Sequence, residues 1–295
     1  MSNLKTILKP KELFRPSEYF KPTSVEETVK LLDKYGEKGR LIAGGTDLVV
    51  DKDPKIETLI DITGLGLDYI KSDSQGLRIG ATTTFADILT SPVLDKSPYN
   101  ILVQSASRMS TPQIRNMATI GGNICYAMPS ASGAIPLIVL SAGVKIVGPG
   151  GERVVPVESF FTGLGTTVLK KGEIVVEFQI PVPPPETKGI YLKYSRTAID
   201  MAVVGVAVVI TLESGGVCKD IKIALASVAS TPVRACSAEE AIKGKKIDEA
   251  IIEKCAQVAA DGINPRSGSI RASQEYKKLI VKVYTARAIQ QLTAK

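Results

Sequence analysis

The alternation of apolar and polar positions divides this chain into two stretches with different rhythms. From residue 24 to 180 short strand-like runs alternate with helical segments, and beyond residue 187 three long β-type runs precede a helical remainder. Ser24-Val25-Glu26-Glu27 has the form of a capping box, and Val25, Val29 and Leu32 follow at helical spacing before Gly36 ends the segment. Arg40–Ala43, Glu57–Ile62 and Leu77–Thr83 read as strands, and Pro98 suits the first position of a helix running through Ile101 and Leu102 towards Met109. Val144–Val147 and Arg153–Val157 flank a Gly/Pro turn and predict a hairpin, with Glu173–Ile180 as a further strand. Pro181-Val182-Pro183-Pro184-Pro185-Glu186 is a semi-rigid linker, where we place the domain boundary. After it, Ile190–Ser195, Val203–Leu212 and Ile221–Val228 predict a three-stranded antiparallel sheet. Asp248 caps a helix with Ile251, Ile252, Cys255 and Val258 inward, and Glu275–Leu292 forms a second with Leu279, Val283 and Ala286 on one stripe. The fold class is α+β: sheets of mixed direction with helices first, then a sheet beside a helical bundle, in domains 1–182 (two subdomains split near 58) and 188–295.

Two glycine pairs stand out from this pattern. Leu41-Ile42-Ala43-Gly44-Gly45-Thr46-Asp47-Leu48 and Thr119-Ile120-Gly121-Gly122-Asn123 both leave apolar sequence and add short polar side chains to adjacent glycines. Such turns can expose successive N–H groups to an anion, and two of them brought together would suit a pyrophosphate. Either could also be an ordinary tight turn. A branched side chain at Gly44 or Gly122 is expected to fill the space a diphosphate needs. Gly163-Leu164-Gly165 lacks the third glycine of a dinucleotide fingerprint, and no Walker sequence occurs.

Composition narrows the chemistry. With 295 residues, two domains are the natural expectation at about 100–200 residues each. There is no histidine, which removes Ser-His-Asp and Cys-His catalysis, histidine metal ligands and a histidine-tethered flavin. The four cysteines, at 125, 218, 236 and 255, form no CxxC pair and read as small buried hydrophobes, so no metal site is expected. No residue set here is a catalytic constellation; any redox chemistry would belong to a cofactor. The net charge of +7 is dispersed, with a mild excess in the first 22 residues and no aromatic RNA-binding motif. This favours a solvated basic surface or an acidic protein partner over nucleic acid. The longest apolar run, Met201–Ile210, is half of the roughly 20 residues a bilayer crossing needs, and the N-terminus lacks the apolar core of a signal peptide. The expectation is a soluble, cytoplasmic protein without a membrane span.

The two loops in this strand context resemble the FAD-binding (medium) subunits of the molybdenum hydroxylases, a family that includes xanthine dehydrogenase and aerobic carbon monoxide dehydrogenase. Residues 43–48 resemble the first flavin loop and Gln113–Asn123 the second; Val155–Gly163, Lys170–Pro181, Tyr194-Ser195-Arg196, Asp200-Met201-Ala202, Ser227–Arg234 and Arg271-Ala272-Ser273 resemble its later signatures. Leu77–Phe85, Asn123-Ile124-Cys125 and Pro265-Arg266-Ser267 are most similar to the FAD subunit of bacterial xanthine dehydrogenase. The branch with an iron–sulfur insertion, the hydroxybenzoyl-CoA reductases, carries four clustered cysteines that this chain lacks. The resemblance implies a two-part FAD-binding domain of the vanillyl-alcohol-oxidase type and a C-terminal domain shared with carbon monoxide dehydrogenase flavoproteins. It implies FAD held by Leu41–Leu48 and Thr119–Asn123, with Met109 and Val175 approaching the cofactor and Lys193 near its ring or carbonyls. Ser132 stands where the family usually has an acidic residue that bonds the cofactor. The implied partners are a small subunit with two iron–sulfur clusters and a large molybdenum-cofactor subunit, in a dimer of heterotrimers, with NAD⁺ or another carrier as acceptor. Two alternatives remain open: the medium subunit of a carbon monoxide or aldehyde (glyceraldehyde) dehydrogenase, and a flavin-free scaffold.

Overall fold

The computed structural model describes residues 14–294; the signal-peptide reading of the N-terminus falls largely outside them. The first unit comprises β1 (Glu18–Phe20), α1 (Val25–Tyr35), β2 (Gly39–Ile42), α2 (Leu48–Asp51) and β3 (Thr58–Asp61), with strand order β1-β3-β2 and both pairings parallel. Ser24 caps α1 by accepting from Glu27 N–H at 3.1 Å, but the Glu27 carboxylate turns back to Thr23 N–H (2.8 Å), one residue before the box position.

The second unit holds β4 (Ile70–Asp73), β5 (Gly76–Gly80), helices α3 (Phe85–Thr90), α4 (Asn100–Ser107), α5 (Pro112–Arg115), α6 (Ile120–Cys125) and α7 (Ala134–Val139), then β6 (Gly143–Gly148), β7 (Gly151–Pro156), the small hairpin β8 (Phe161–Gly163) and β9 (Thr166–Thr167), and β10 (Ile174–Pro181). Its five-stranded sheet, β4-β5-β10-β6-β7, is antiparallel throughout. Neither sheet mixes directions. Helical crossovers bring strands back parallel in the first unit, whereas tight turns join β4 to β5 and β6 to β7 in the second. β3 belongs to the first sheet, and residues 62–69 lead from it to β4 of the second. Pro98 precedes α4, which begins at Asn100.

The third unit contains β11 (Thr187–Tyr194), β12 (Val204–Leu212), β13 (Cys218–Ala226), the two-residue β14 (Val233–Arg234), α8 (Cys236–Ile242), α9 (Glu249–Asp261) and α10 (Gln274–Thr293). The three long strands run antiparallel as expected, and β14 adds a short fourth. Alternate residues of β12 face opposite sides. Val204, Val206, Val208 and Ile210 join the core under α9 and α10, while Ala207 and Val209 join the core of the second unit with Tyr191, Ala224 and Ala226. Both faces are covered, which explains the unbroken apolar run. The stripe read on the last helix is not its buried face: Leu279 and Val283 are exposed and Ala286 is half-buried, while Lys277, Ile280, Val281, Thr285, Ala288, Ile289 and Leu292 face inward. Apolar residues occur nearly all round this helix, so spacing alone leaves its buried face undetermined. Cys218 and Cys255 are buried and Cys125 is half-buried, but Cys236 is exposed at the start of α8. No helix among the described residues is long and apolar enough to cross a membrane.

The first unit touches the second through a thin apolar cluster of Ile62, Ile174 and Val176 with the half-buried Val25, Val29, Leu32, Leu41 and Ala43. Several of these same residues line the cleft described next.

Candidate functional site

A cleft of about 800 Å³ opens between the first two units. Fourteen of the seventeen expected residues line it: Leu41, Ile42, Ala43, Gly44, Gly45, Thr46, Asp47, Leu48, Met109, Thr119, Gly121, Gly122, Asn123 and Val175. Ile120 is fully buried in the core of the second unit instead. Ser132 is half-buried beside α4, where its carbonyl accepts from the Ser105 hydroxyl at 2.5 Å, away from the cleft wall. Lys193 donates to the Arg108 carbonyl at 2.7 Å; this fixes it one residue from Met109 but off the lining. Burial lowers the Lys193 pKa first, Asp200 opposes the shift, and Arg108 adds to it.

The two glycine loops do different things. In the first, no described residue accepts a hydrogen bond from the N–H of Gly44, Gly45, Thr46, Asp47 or Leu48. Gly45 holds φ +67°, a region side chains resist, and this reverses the chain before α2. In the second loop the amides are already spent. Ile120 N–H bonds Thr83 O (2.9 Å), Gly121 N–H bonds Ala81 O (2.9 Å), Gly122 N–H bonds Thr119 Oγ1 (3.1 Å) and Asn123 N–H bonds Thr119 O (3.0 Å). Within Thr119–Asn123 only the Thr119 amide lacks an acceptor among the described residues, so this loop does not supply the row of amides expected of it.

The glycines also differ from expectation. A Cβ on Gly44 would lie 1.7 Å from the Met117 carbonyl oxygen, and one on Gly121 would lie 2.5 Å from the Ala81 carbonyl oxygen. Both glycines therefore exist for backbone contact: Gly44 lets the two loops touch, and Gly121 seats the second against the end of β5. Gly122 is exposed on the cleft wall, where its Cβ would meet only Thr119 Oγ1, at 2.9 Å. It is the position at which a side chain would enter the cleft with least damage to the fold.

Several lining residues carry no sequence signal read above. Tyr126 donates to Asp51 Oδ2 (2.6 Å), tying the helix after the second loop to the helix after the first; burial, then Asp51, raise its pKa. Gly165, Thr166 and Thr167 close one side, so of the Gly163-Leu164-Gly165 segment only the last glycine reaches the cleft. Arg40 and Lys170 are the cations of the described lining. Burial, reinforced by Asp51, raises the Asp47 pKa, and burial pushes the Cys125 thiol up to about 12, which leaves it unreactive at neutral pH.

A cleft of this size lies within the range of about 300–1,000 Å³ typical of ligand sites. Five unpartnered amides in one turn, beside an apolar wall of Leu32, Leu41, Ile62, Ile174 and Val175, fit a ligand that joins an anionic group to a planar apolar one. The family described as the FAD binding domain in molybdopterin dehydrogenase matches residues 14–183, and that described as the CO dehydrogenase flavoprotein C-terminal domain matches residues 190–292. The chain belongs to the FAD-binding medium subunits of the molybdenum hydroxylase family. It is 32% identical over 266 residues to the xanthine dehydrogenase FAD-binding subunit of Escherichia coli, covering 87% of this chain and 89% of that one. It is 33% identical over 273 residues to the glyceraldehyde dehydrogenase medium chain of Sulfolobus acidocaldarius, covering 91% and 95%. Carbon monoxide dehydrogenase from Hydrogenophaga pseudoflava superposes with a TM-score of 0.89 at 33% identity, covering 94% of this chain and 96% of that one.

Proposed function

We propose that this cleft is the FAD site and that the chain is the electron-relay subunit of a xanthine dehydrogenase-like complex. The observation that carries the site is the row of five free amides from Gly44 to Leu48. They would hold the diphosphate through charge-assisted hydrogen bonds. Met109 and Val175 would border the ring, while Thr119, Gly121, Gly122 and Asn123 would form the opposite wall by contact rather than by donation. Lys193 and Ser132 would act only indirectly, by fixing the strands and loops next to that wall. The flavin, when bound, supplies the redox chemistry; this chain binds, orients and shields it from water. In this reading, electrons come from the two iron–sulfur clusters of a small subunit. Substrate is oxidised in a large molybdenum-cofactor subunit, the acceptor is NAD⁺, the assembly is a dimer of heterotrimers, and its place is the cytoplasm. The likeness to Escherichia coli xanthine dehydrogenase supports the purine branch.

The comparable identity, 33% against 32%, to a glyceraldehyde dehydrogenase medium chain and the fold match to a carbon monoxide dehydrogenase support a second reading, with an aldehyde or carbon monoxide as substrate and an acceptor other than NAD⁺. Turnover of the intact complex with purines, aldehydes and carbon monoxide, each with and without NAD⁺, separates the two. The site itself is tested by Gly122→Val. We expect a folded chain by circular dichroism with most of its flavin absorbance lost, and FAD released into the supernatant when the wild type is acid-precipitated. Full flavin content in Gly122→Val, or FMN in place of FAD, would refute the assignment.

A further inference from the structure

Away from the cleft, the seam between the third unit and the segment following α6 gathers cations without a carboxylate of their own. Lys277, on α10, is 8% exposed, and its ammonium donates to a single described group, the Ser227 carbonyl, at 2.8 Å. The charged residues that bear on it are Arg271 and Arg266; they add to the burial that lowers its pKa. Arg271 Nε is buried without an acceptor, and Nη2 reaches only the Met201 sulfur, at 3.8 Å. The Ser227 hydroxyl is likewise buried and unpartnered. Ser227 is held at φ +66° with its N–H on Pro129 O (2.8 Å), so the hydroxyl is fixed against the first domain's chain. The acid nearest in influence, Asp200, is already bonded to Arg196 at 2.8 Å and to Met201 N–H at 2.9 Å.

A buried ammonium with one neutral acceptor is an uncompensated charge, and a guanidinium beside it raises the cost by repulsion. Water would satisfy hydrogen bonds but leave that repulsion in place. An oxyanion answers both: it accepts from Nε, from the ammonium and from the hydroxyl while cancelling charge, and the guanidinium edge suits two oxygens on one centre. We propose that Arg271, Lys277 and Ser227 form a binding site for an oxyanion, a carboxylate or phosphate group, at this seam. None of the three residues lines the flavin cleft, and the proposal does not rest on the reading given to that cleft.

The test is thermal melting of the full-length, flavin-containing protein titrated with sodium phosphate and with sodium acetate against sodium chloride at matched ionic strength. A saturable rise with phosphate or acetate, absent with chloride, is expected. Saturation by phosphate alone identifies a phosphate ligand, and a response to acetate identifies a carboxylate. Arg271→Gln should weaken the response about tenfold or more, as loss of a charge-assisted hydrogen bond implies, while the exposed Lys254→Gln keeps it. Lys277→Met should abolish the response and, in anion-free buffer, melt no lower than the wild type. Flavin absorbance on the same samples separates loss of this site from loss of the cofactor. No anion-specific rise, a full response in Arg271→Gln, or a markedly lower melting point for Lys277→Met would overturn the assignment.

Discussion

The two glycine loops look alike in sequence and differ in physics. Ala43-Gly44-Gly45-Thr46 leaves its amides free, whereas Thr119-Ile120-Gly121-Gly122 hands nearly all of its own to Thr83, Ala81 and Thr119. One leaves its donors free at the cleft; the other is a clasp that closes on the end of β5 and on the first loop. A glycine pair therefore marks close approach, and only the hydrogen-bond accounting tells whether the thing approached is a ligand or the protein's own backbone.

The largest test of this contrast is Gly44→Val. Its Cβ would fall 1.7 Å from the Met117 carbonyl, so the loops must separate. We expect a loss of about 3 kcal/mol or more in the flavin-free chain, measured by urea unfolding. Stability equal to the wild type would mean the loops do not touch. Flavin removal comes next. The first unit meets the second through a thin cluster that also lines the cleft, so stripping the cofactor should cost about 2.7 kcal/mol at a hundredfold excess over Kd. Hydrogen exchange should rise mainly across residues 18–61; a uniform rise over the chain would contradict this. Gly45→Ala forces a side chain to φ +67° and should cost about 1–2 kcal/mol, with weaker flavin binding seen by fluorescence titration. Thr119→Ala removes the cap on Gly122 N–H and should cost about 1 kcal/mol of stability while leaving flavin affinity nearly unchanged. A fall in affinity matching that of Gly45→Ala would show that the second loop donates after all.

The smallest effect is electrostatic. Asp47 sits among the free amides with its pKa raised above 3.8 by burial and by Asp51. A carboxyl whose folded pKa is raised stabilises the fold fully below the ordinary value and loses that contribution as pH rises through the folded one. Asp47→Asn should accordingly be slightly more stable than the wild type at neutral pH, with the two curves converging below pH 3.8, and should bind flavin a little more tightly. Curves that diverge on acidification would reverse the sign of this argument.

Much of this protein was legible from local pattern. The Ser24 cap, the strands around 40, 58 and 77, the hairpin at 144–156 and the three long strands after the proline linker follow from periodicity and turn chemistry, which act over a few residues. Fourteen of the residues that the family resemblance assigns to the cofactor line one cleft. The rest depended on partners far apart in the chain. Gly44 is constrained by Met117 and Gly121 by Ala81; α10 buries Ile280 and Val281 rather than Leu279 and Val283 because β12 and α9 lie on that side. Lys193 turns its ammonium to the Arg108 carbonyl and the Ser132 carbonyl accepts from the Ser105 hydroxyl, and neither residue lines the cleft. The amino-acid sequence alone determined which segments can be strands, helices and tight turns, because those preferences are local. Tertiary structure decided which amides remain free and which helix face is buried, because burial and hydrogen-bond satisfaction are settled only when distant segments meet.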